Sequence, residues 1–235
     1  MTTAPRNAIV TGGAGGLGAA AVRKLHSSGT RVVVADIDES RAIALARDID
    51  PSGTHCLGLR CDVSNLEDCD RLISDAEHFF DEPVYLFLAN AGAGFAGSLT
   101  EADPLQIKRV IDINLTGSIL SARAALRSMR KCNEGVLLFT ASLQSVMARS
   151  QRSIYTATKH ALVGLVKALA LEYGPYGIRV NAIAPASTDT GFLRQQFAFL
   201  NQDIEASVAQ VAKSMPLGRL PDVEDFAESV LFLSS

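Results

Sequence analysis

No apolar run in this chain approaches the roughly 18 to 20 residues needed to cross a bilayer, so a membrane-spanning protein is not expected. Cysteine is scarce: Cys56, Cys61, Cys69 and Cys132 form no C-x-x-C pair and no small secreted framework. His55, Cys56, Cys61 and Asp62 lie close enough in sequence to suggest metal ligands. Cys56 and Cys61, however, fall at opposite ends of a predicted strand, too far apart to share one ion, and reduced, mostly buried thiols fit better. Neither sign of charge dominates: 22 Lys and Arg stand against 25 Asp and Glu, a net charge of -3 that gives no pull toward nucleic acid or anionic membrane. A strand pattern is reached by Ala8, which leaves no room for a signal peptide's apolar segment, and the cytoplasm is the expected location. What is there is ordinary: 48% hydrophobic and 20% charged residues over 235 positions suit one large α/β domain.

Hydrophobic patterning alternates in period along the chain. Asn7 to Thr11, Arg31 to Asp36, His55 to Arg60, Val84 to Ala89, Gly135 to Thr140 and Ile178 to Ile183 read as six strands. The run Arg31-Val-Val-Val-Ala-Asp36 is continuously apolar between its ends, as a strand covered on both faces should be. Helical spacing follows each strand: a helix to His26, Glu39 to Asp48, a helix opened by the capping box Ser64-Asn-Leu-Glu67 and running to Phe80, then Asp103 to Lys131 and Ser153 to Tyr173. Asp103-Pro104 is an N-cap with proline at the first helical position. Strands alternating with helices this long mean βαβ units, hence a doubly wound parallel sheet in three layers of the Rossmann type. Nothing divides residues 1–235 into two domains. Beyond Pro185 the pattern loosens, with weak helical spacing over Ser187 to Leu200, a loop at Pro216 to Pro221 and a final helix over Asp222 to Leu233.

Three stretches carry chemistry. Gly12-Gly-Ala-Gly-Gly-Leu-Gly18 follows a strand and opens a helix, the setting in which small residues let the backbone approach a pyrophosphate on helix N–H donors. Two registers fit, G-x-G-x-x-G on Gly13, Gly15 and Gly18, and T-G-x-x-x-G-x-G on Thr11, Gly12, Gly16 and Gly18. Asp36 ends the second strand, where a carboxylate can accept both hydroxyls of an adenosine ribose and would repel a 2′-phosphate. Arg41 is the nearest following cation but falls inside the next helix, so NAD is expected over NADP. Tyr155 and Lys159 stand at i and i+4 on one helix face, and a fixed cation beside a phenol favours the tyrosinate. Ser142 ends the strand before them, placed to bond a substrate oxygen.

Taken together, these motifs resemble the short-chain dehydrogenase/reductases, over nearly the whole chain. Thr11-Gly12-x-x-x-Gly16-Leu17-Gly18 is similar to that family's cofactor loop, which selects the second register. Asp62-Val63 resembles its adenine-contacting pair and Asn90-Ala-Gly92 the element that borders the cofactor. Asn114, Ser142, Tyr155 and Lys159 match its catalytic tetrad, and Pro185 with the Thr188 and Thr190 region matches the segment beside the nicotinamide. The resemblance implies an oxidoreductase that interconverts a secondary alcohol and a ketone. Tyr155 would be general acid/base, Ser142 would orient the oxygen, and Lys159 would bind the nicotinamide ribose and lower the tyrosine pKa. Asn114 would hold a water on a proton path. It implies a homodimer through the 103–131 and 153–173 helices, or a tetramer.

Two departures stand out. Ala186 follows Pro185 where the family usually has glycine, and the family's last strand after Ser235 is not in this sequence, which should leave the sixth strand at a sheet edge. Substrate selection is expected from Leu143 to Arg152, Ala93 to Gly97 and a lid over about 187–215, whose Phe192, Phe197 and Phe199 suggest an apolar alcohol or ketone. Arg149, Arg152 and Arg194 are expected to be solvated, with an anion-binding role as the alternative. Two other functions fit the same motifs: an idle NAD-binding sensor or scaffold, and an NADPH-type 3-oxoacyl reductase, to which the Pro216-Leu-Gly-Arg segment is similar.

Overall fold

Because period-2 and period-3.6 segments alternate, each helix must cross the sheet to reach the next strand. In a computed structural model, which describes residues 6–235, the strands are β1 (Asn7–Thr11), β2 (Arg31–Asp36), β3 (Cys56–Arg60), β4 (Leu86–Ala89), β5 (Gly135–Thr140) and β6 (Ile178–Ile183). They form one sheet of order β3-β2-β1-β4-β5-β6, every neighbouring pair parallel. The helices are α1 (Gly16–Ser27), α2 (Glu39–Ile49), α3 (Leu66–Phe80), α4 (Pro104–Ile111), α5 (Gly117–Met129), α6 (Ser153–Tyr173), α7 (Gly191–Phe199), α8 (Ile204–Ser214) and α9 (Val223–Ser234).

Alternate strand residues feed two cores. Ile9, Val33, Phe87, Leu137 and Phe139 pack beneath α3, α5 and α6. Val10, Val34, Leu88 and Leu138 pack beneath α1, α2 and α9. All nine of these side chains are fully buried, each contributing about 1.5–3 kcal/mol relative to exposure, which is why these strands tolerate no polar alternation. The sheet order reverses between β1 and β4, so the loops leaving those two strands part and open a crevice at their C-terminal ends.

The structure departs from the sequence reading in four places. Asn65, not Ser64, caps α3: its Oδ1 accepts from Asp68 N at 2.9 Å, while the Ser64 hydroxyl donates to Asp62 Oδ1 at 2.7 Å. The nearby carboxylate competes for the serine, as short polar side chains do in turns. The predicted helix from Asp103 to Lys131 is interrupted by a π turn over Asp112–Thr116 that carries Asn114, so α4 and α5 meet at a widened turn of the kind found at functional sites. A helix not predicted, α8, is capped by Asp203, whose Oδ1 accepts from Ala206 N at 2.9 Å. Arg152 is buried. β6 lies at the sheet edge and pairs only with β5, while the Arg179 guanidinium beside it donates to the Leu233 and Ser235 carbonyls, both at 2.8 Å.

β3 approaches α2 closely at Gly58, where an added Cβ would stand 2.5 Å from Ala42 C and Ile43 N, both backbone atoms. Gly58→Ala should therefore lift α2 from the sheet and lower Tm by about 5 °C or more. An unchanged Tm in thermal unfolding would show that this packing is looser than described.

Candidate active site

The glycine loop spans the crevice. Gly12 (φ 60°) and Gly16 (φ 49°) take the left-handed backbone that glycine tolerates best. Gly18 meets a different need: a Cβ there would stand 2.2 Å from Gly12 O and 2.7 Å from Asn90 Nδ2, so it packs the loop and does not line the cavity. α1 starts at Gly16 with no side-chain cap and no acid in its first turn, leaving its N–H groups available to an anion. At the end of β2, Asp36 accepts from Ala14 N through Oδ2 and from Asp38 N through Oδ1, both at 3.1 Å, which fixes the carboxylate at the rim. Arg41 belongs to α2, as expected, but its Nη2 donates to Ala14 O at 3.0 Å, so the guanidinium reaches back to the glycine loop beside Asp36.

Asn90 knots the crevice together. Its Nδ2 donates to Thr11 O at 3.0 Å and Gly12 O at 3.1 Å, and its Oδ1 accepts from Thr140 Oγ1 at 3.0 Å. At the end of β5 the same Thr140 offers its carbonyl to Lys159 Nζ at 2.6 Å. Ser142 follows in extended backbone, its Oγ accepting from Gln144 N at 3.1 Å. One turn earlier on α6 than Lys159, Tyr155 is 7% exposed, with the lysine nitrogen 5.7 Å from its ring centroid. Asn114 is fully buried, and both its amide hydrogens are engaged, with Ala93 O at 2.9 Å and Thr158 Oγ1 at 3.2 Å, while Oδ1 accepts from Ala93 N at 2.7 Å. A proton path donating from that amide has no free hydrogen; as placed, Asn114 holds the 92–93 loop against the helix and does not line the cavity.

The rest converge. One cavity of about 810 Å³ is lined by Gly12, Gly16, Leu17, Asp36, Asp62 and Val63 at one end and by Ser142, Tyr155 and Lys159 at the other, with Asn90, Pro185 and Thr188 between. Ala186 needs no positive φ, so alanine serves where glycine was expected. The α7 phenylalanines Phe192, Phe197 and Phe199 all reach the cavity, whereas α8 does not. Arg194 pairs with Asp189 at 2.7 Å and Glu205 at 2.6 Å and stays outside. Gln106, Arg109 and Val110 of α4 also line it and escaped the sequence reading, because within the long helix expected over Asp103 to Lys131 nothing distinguishes a cavity-facing residue from a solvent-facing or core one.

Burial dominates the electrostatics. It lowers the Lys159 pKa from its ordinary 10.5 to about 8, and no acid stands beside the ammonium to oppose it. It raises the Tyr155 phenol, partly offset by the Ser142 hydroxyl and the Arg152 charge. The expectation that Lys159 brings the tyrosine below its usual value is thus corrected: in this geometry desolvation outweighs the favourable neighbours. Asp36 and Asp62 end in carboxylates and the helix N-terminus in donors, so the cavity suits a dinucleotide along its length.

Comparison with known proteins agrees with this geometry. The short chain dehydrogenase family model matches residues 6–201, and the chain belongs to that family. A relative, the cis-4-hydroxycyclohexanecarboxylate dehydrogenase of Sinomonas cyclohexanicum, is 36% identical over 99% of this chain and 90% of its own. The crystal structure of 3-ketoacyl-(acyl-carrier-protein) reductase from Brucella melitensis complexed with NADH has a TM-score of 0.88 at 28% identity, covering 98% of this chain and 91% of that one. That of a single-residue variant of actinorhodin polyketide ketoreductase with NADPH has a TM-score of 0.92 at 27% identity, covering 100% and 92%. The family is one of oxidoreductases that bind a nicotinamide dinucleotide.

Burying a charged lysine costs the fold stability. A pKa depressed from 10.5 to about 8 corresponds to on the order of 3 kcal/mol at neutral pH, against about 1 kcal/mol for the Thr140 hydrogen bond. Lys159→Met should therefore raise Tm by about 4 °C or more without added dinucleotide. The folded lysine loses its proton first, so wild-type stability gains relative to the variant as pH rises through about 8 toward 10.5. A Tm lower than wild type at pH 7 would contradict this balance.

Proposed function

We propose that the protein interconverts a secondary alcohol and a ketone, using Tyr155 as general acid/base at the substrate oxygen. The observation that carries this reading is that Ser142, Tyr155 and Lys159 meet in the same cavity as the glycine loop and Asp36. A bound nicotinamide dinucleotide supplies the hydride acceptor or donor. Tyr155 takes the hydroxyl proton on oxidation and returns it on reduction, and Ser142 Oγ orients the carbinol or carbonyl oxygen. Lys159 offers the N–H donors not directed at Thr140 to the nicotinamide ribose, its charge holding the phenolate once formed. Asn114 positions the 92–93 loop and the π turn around them. Gly12, Gly16, Leu17, Asp62, Val63, Asn90, Pro185 and Thr188 line the dinucleotide's path.

Asp36 favours NAD, since its carboxylate accepts from ribose hydroxyls and repels a 2′-phosphate. One observation favours the second reading, NADP: the Arg41 guanidinium lies on the glycine loop, where it could meet a phosphate. We read the chain as one dinucleotide-binding domain in the cytoplasm with a lid over 187–215, whose cavity face is α7. A homodimer through α5 and α6 is supported by the groove between them, where Ile119, Leu126, Leu165 and Leu169 lie beside Arg123, Arg127 and Arg130.

Tyr155→Phe should lower kcat by about 10²–10⁴ with alcohol or ketone while dinucleotide affinity stays near wild type. Retained turnover in that variant would remove the phenol from the mechanism. Asp36→Asn should move the NAD to NADP ratio of kcat/KM toward NADP by about 10- to 100-fold, and a ratio that does not move would assign the choice elsewhere.

A further inference from the structure

Two buried cations line the cavity, and the mechanism uses only Lys159. The other is Arg152, 8% exposed. Its Nη1 donates to Phe95 O at 3.1 Å, the one hydrogen bond this guanidinium makes among the described residues. The only buried side-chain nitrogen or oxygen sealed without a partner among the described residues is Thr30 Oγ1, so the unpartnered guanidinium donors of Arg152 are not sealed off, and the residue lines the cavity. Its titratable neighbours are Arg149 and Tyr155; burial and the second arginine both disfavour its charge, and no carboxylate compensates among the described residues. Asp36 and Asp62, the only acids lining the cavity among the described residues, belong to the adenosine end.

The backbone aims this side chain. Gln151 takes a left-handed φ of 61°, and its carbonyl accepts from Gly97 N at 3.0 Å, which fastens the turn to the 95–97 loop. Arg152 then caps α6 three residues before Tyr155, so guanidinium and phenol share a face. The first turn of α6 holds no acid, which adds positive potential at the same spot. Apolar surface adjoins the phenol: Val110 packs with Tyr155, the Phe192 ring lies 5.9 Å from that of Tyr155, and Leu143 also lines the cavity. A desolvated guanidinium is satisfied by an oxyanion that presents two acceptors to its fork.

We propose that the substrate is a hydroxy acid or the corresponding keto acid: its carbinol or carbonyl oxygen sits at Tyr155 and Ser142, its carboxylate on Arg152, and a short apolar body against Phe192 and Val110. This rests on the alcohol–ketone reading above and names the substrate class for that site. The carboxylate is unchanged by the reaction and serves only to orient the carbinol. Arg149, exposed on the same loop, adds charge at the mouth.

The test compares kcat/KM for 3-hydroxybutyrate and for 3- and 4-hydroxycyclohexanecarboxylate with that for their uncharged methyl esters, each with NAD and NADP. Wild type should prefer the best acid over its ester by at least about 10-fold, and Arg152→Met should lower the acid's value about 100-fold while moving the ester's by less than about threefold. Arg152→Lys should restore part of the loss. An equal fall on acid and ester would make Arg152 only a tie to Phe95 and overturn the inference. If the variants do not fold, the wild-type ratio decides, and a preference for the ester, or turnover of esters and simple alcohols but of no acid, overturns it while leaving the alcohol–ketone reading intact. No turnover of any alcohol, ketone, acid or ester with either dinucleotide would overturn both.

Discussion

The buried hydrogen bond from Lys159 Nζ to Thr140 O, 2.6 Å long, is the constraint on which the arrangement depends. It pins α6 across the end of β5, which sets Tyr155 above the sheet and Ser142 opposite it. The same Thr140 reaches Asn90 through its hydroxyl, and Asn90 reaches the carbonyl of Gly12. A continuous chain of bonds thus runs from Lys159 to the glycine loop and holds the two ends of the cavity in register. Such a network is stiff when every member is satisfied and costly when a buried polar partner is left unpaired, while at Lys159 itself the desolvation of the ammonium outweighs the bond it makes.

That anchoring leaves the cavity electrically divided. Carboxylates of Asp36 and Asp62 mark one end with Arg41 beside them, and away from that end the lining carries the cations Lys159, Arg152, Arg149 and Arg109 with no acid among the described residues. Burial lowers the Lys159 pKa to about 8 and raises the Tyr155 phenol, so at neutral pH a desolvated ammonium stands beside a protonated phenol. A site that holds uncompensated positive charge near a protonated phenol is prepared to receive negative charge, whether it develops on a reacting oxygen or arrives on a ligand. The stability forgone at Lys159 is a functional cost of the kind expected at active sites.

Much of this was legible in the sequence because it depends on periodicity and local spacing. The six strands, the glycine loop, Asp36 at a strand end and the Tyr155–Lys159 pair on one helix face all follow from positions a few residues apart. Asn65 as the α3 cap was hidden by the neighbouring Ser64, whose hydroxyl is taken by Asp62. The π turn at Asn114 leaves no mark in helical spacing that a reader can see. Arg152 and Arg41 were misjudged for one reason: their environments are made by distant residues, Phe95 and Ala14, which only the tertiary fold brings near. The wall supplied by Gln106 and Arg109 was missed likewise, since helical spacing over Asp103 to Lys131 does not tell which polar side chains the tertiary fold turns inward.

The central claim is that a carbinol carbon reacts inside this cavity while Tyr155 handles its proton. The most direct measurement uses an alcohol substrate deuterated at the carbinol carbon, recording the isotope effect on kcat/KM and the label in the recovered dinucleotide. The account predicts a normal effect clearly above unity, with deuterium carried into the reduced cofactor. Product formed with no label in the dinucleotide would contradict it.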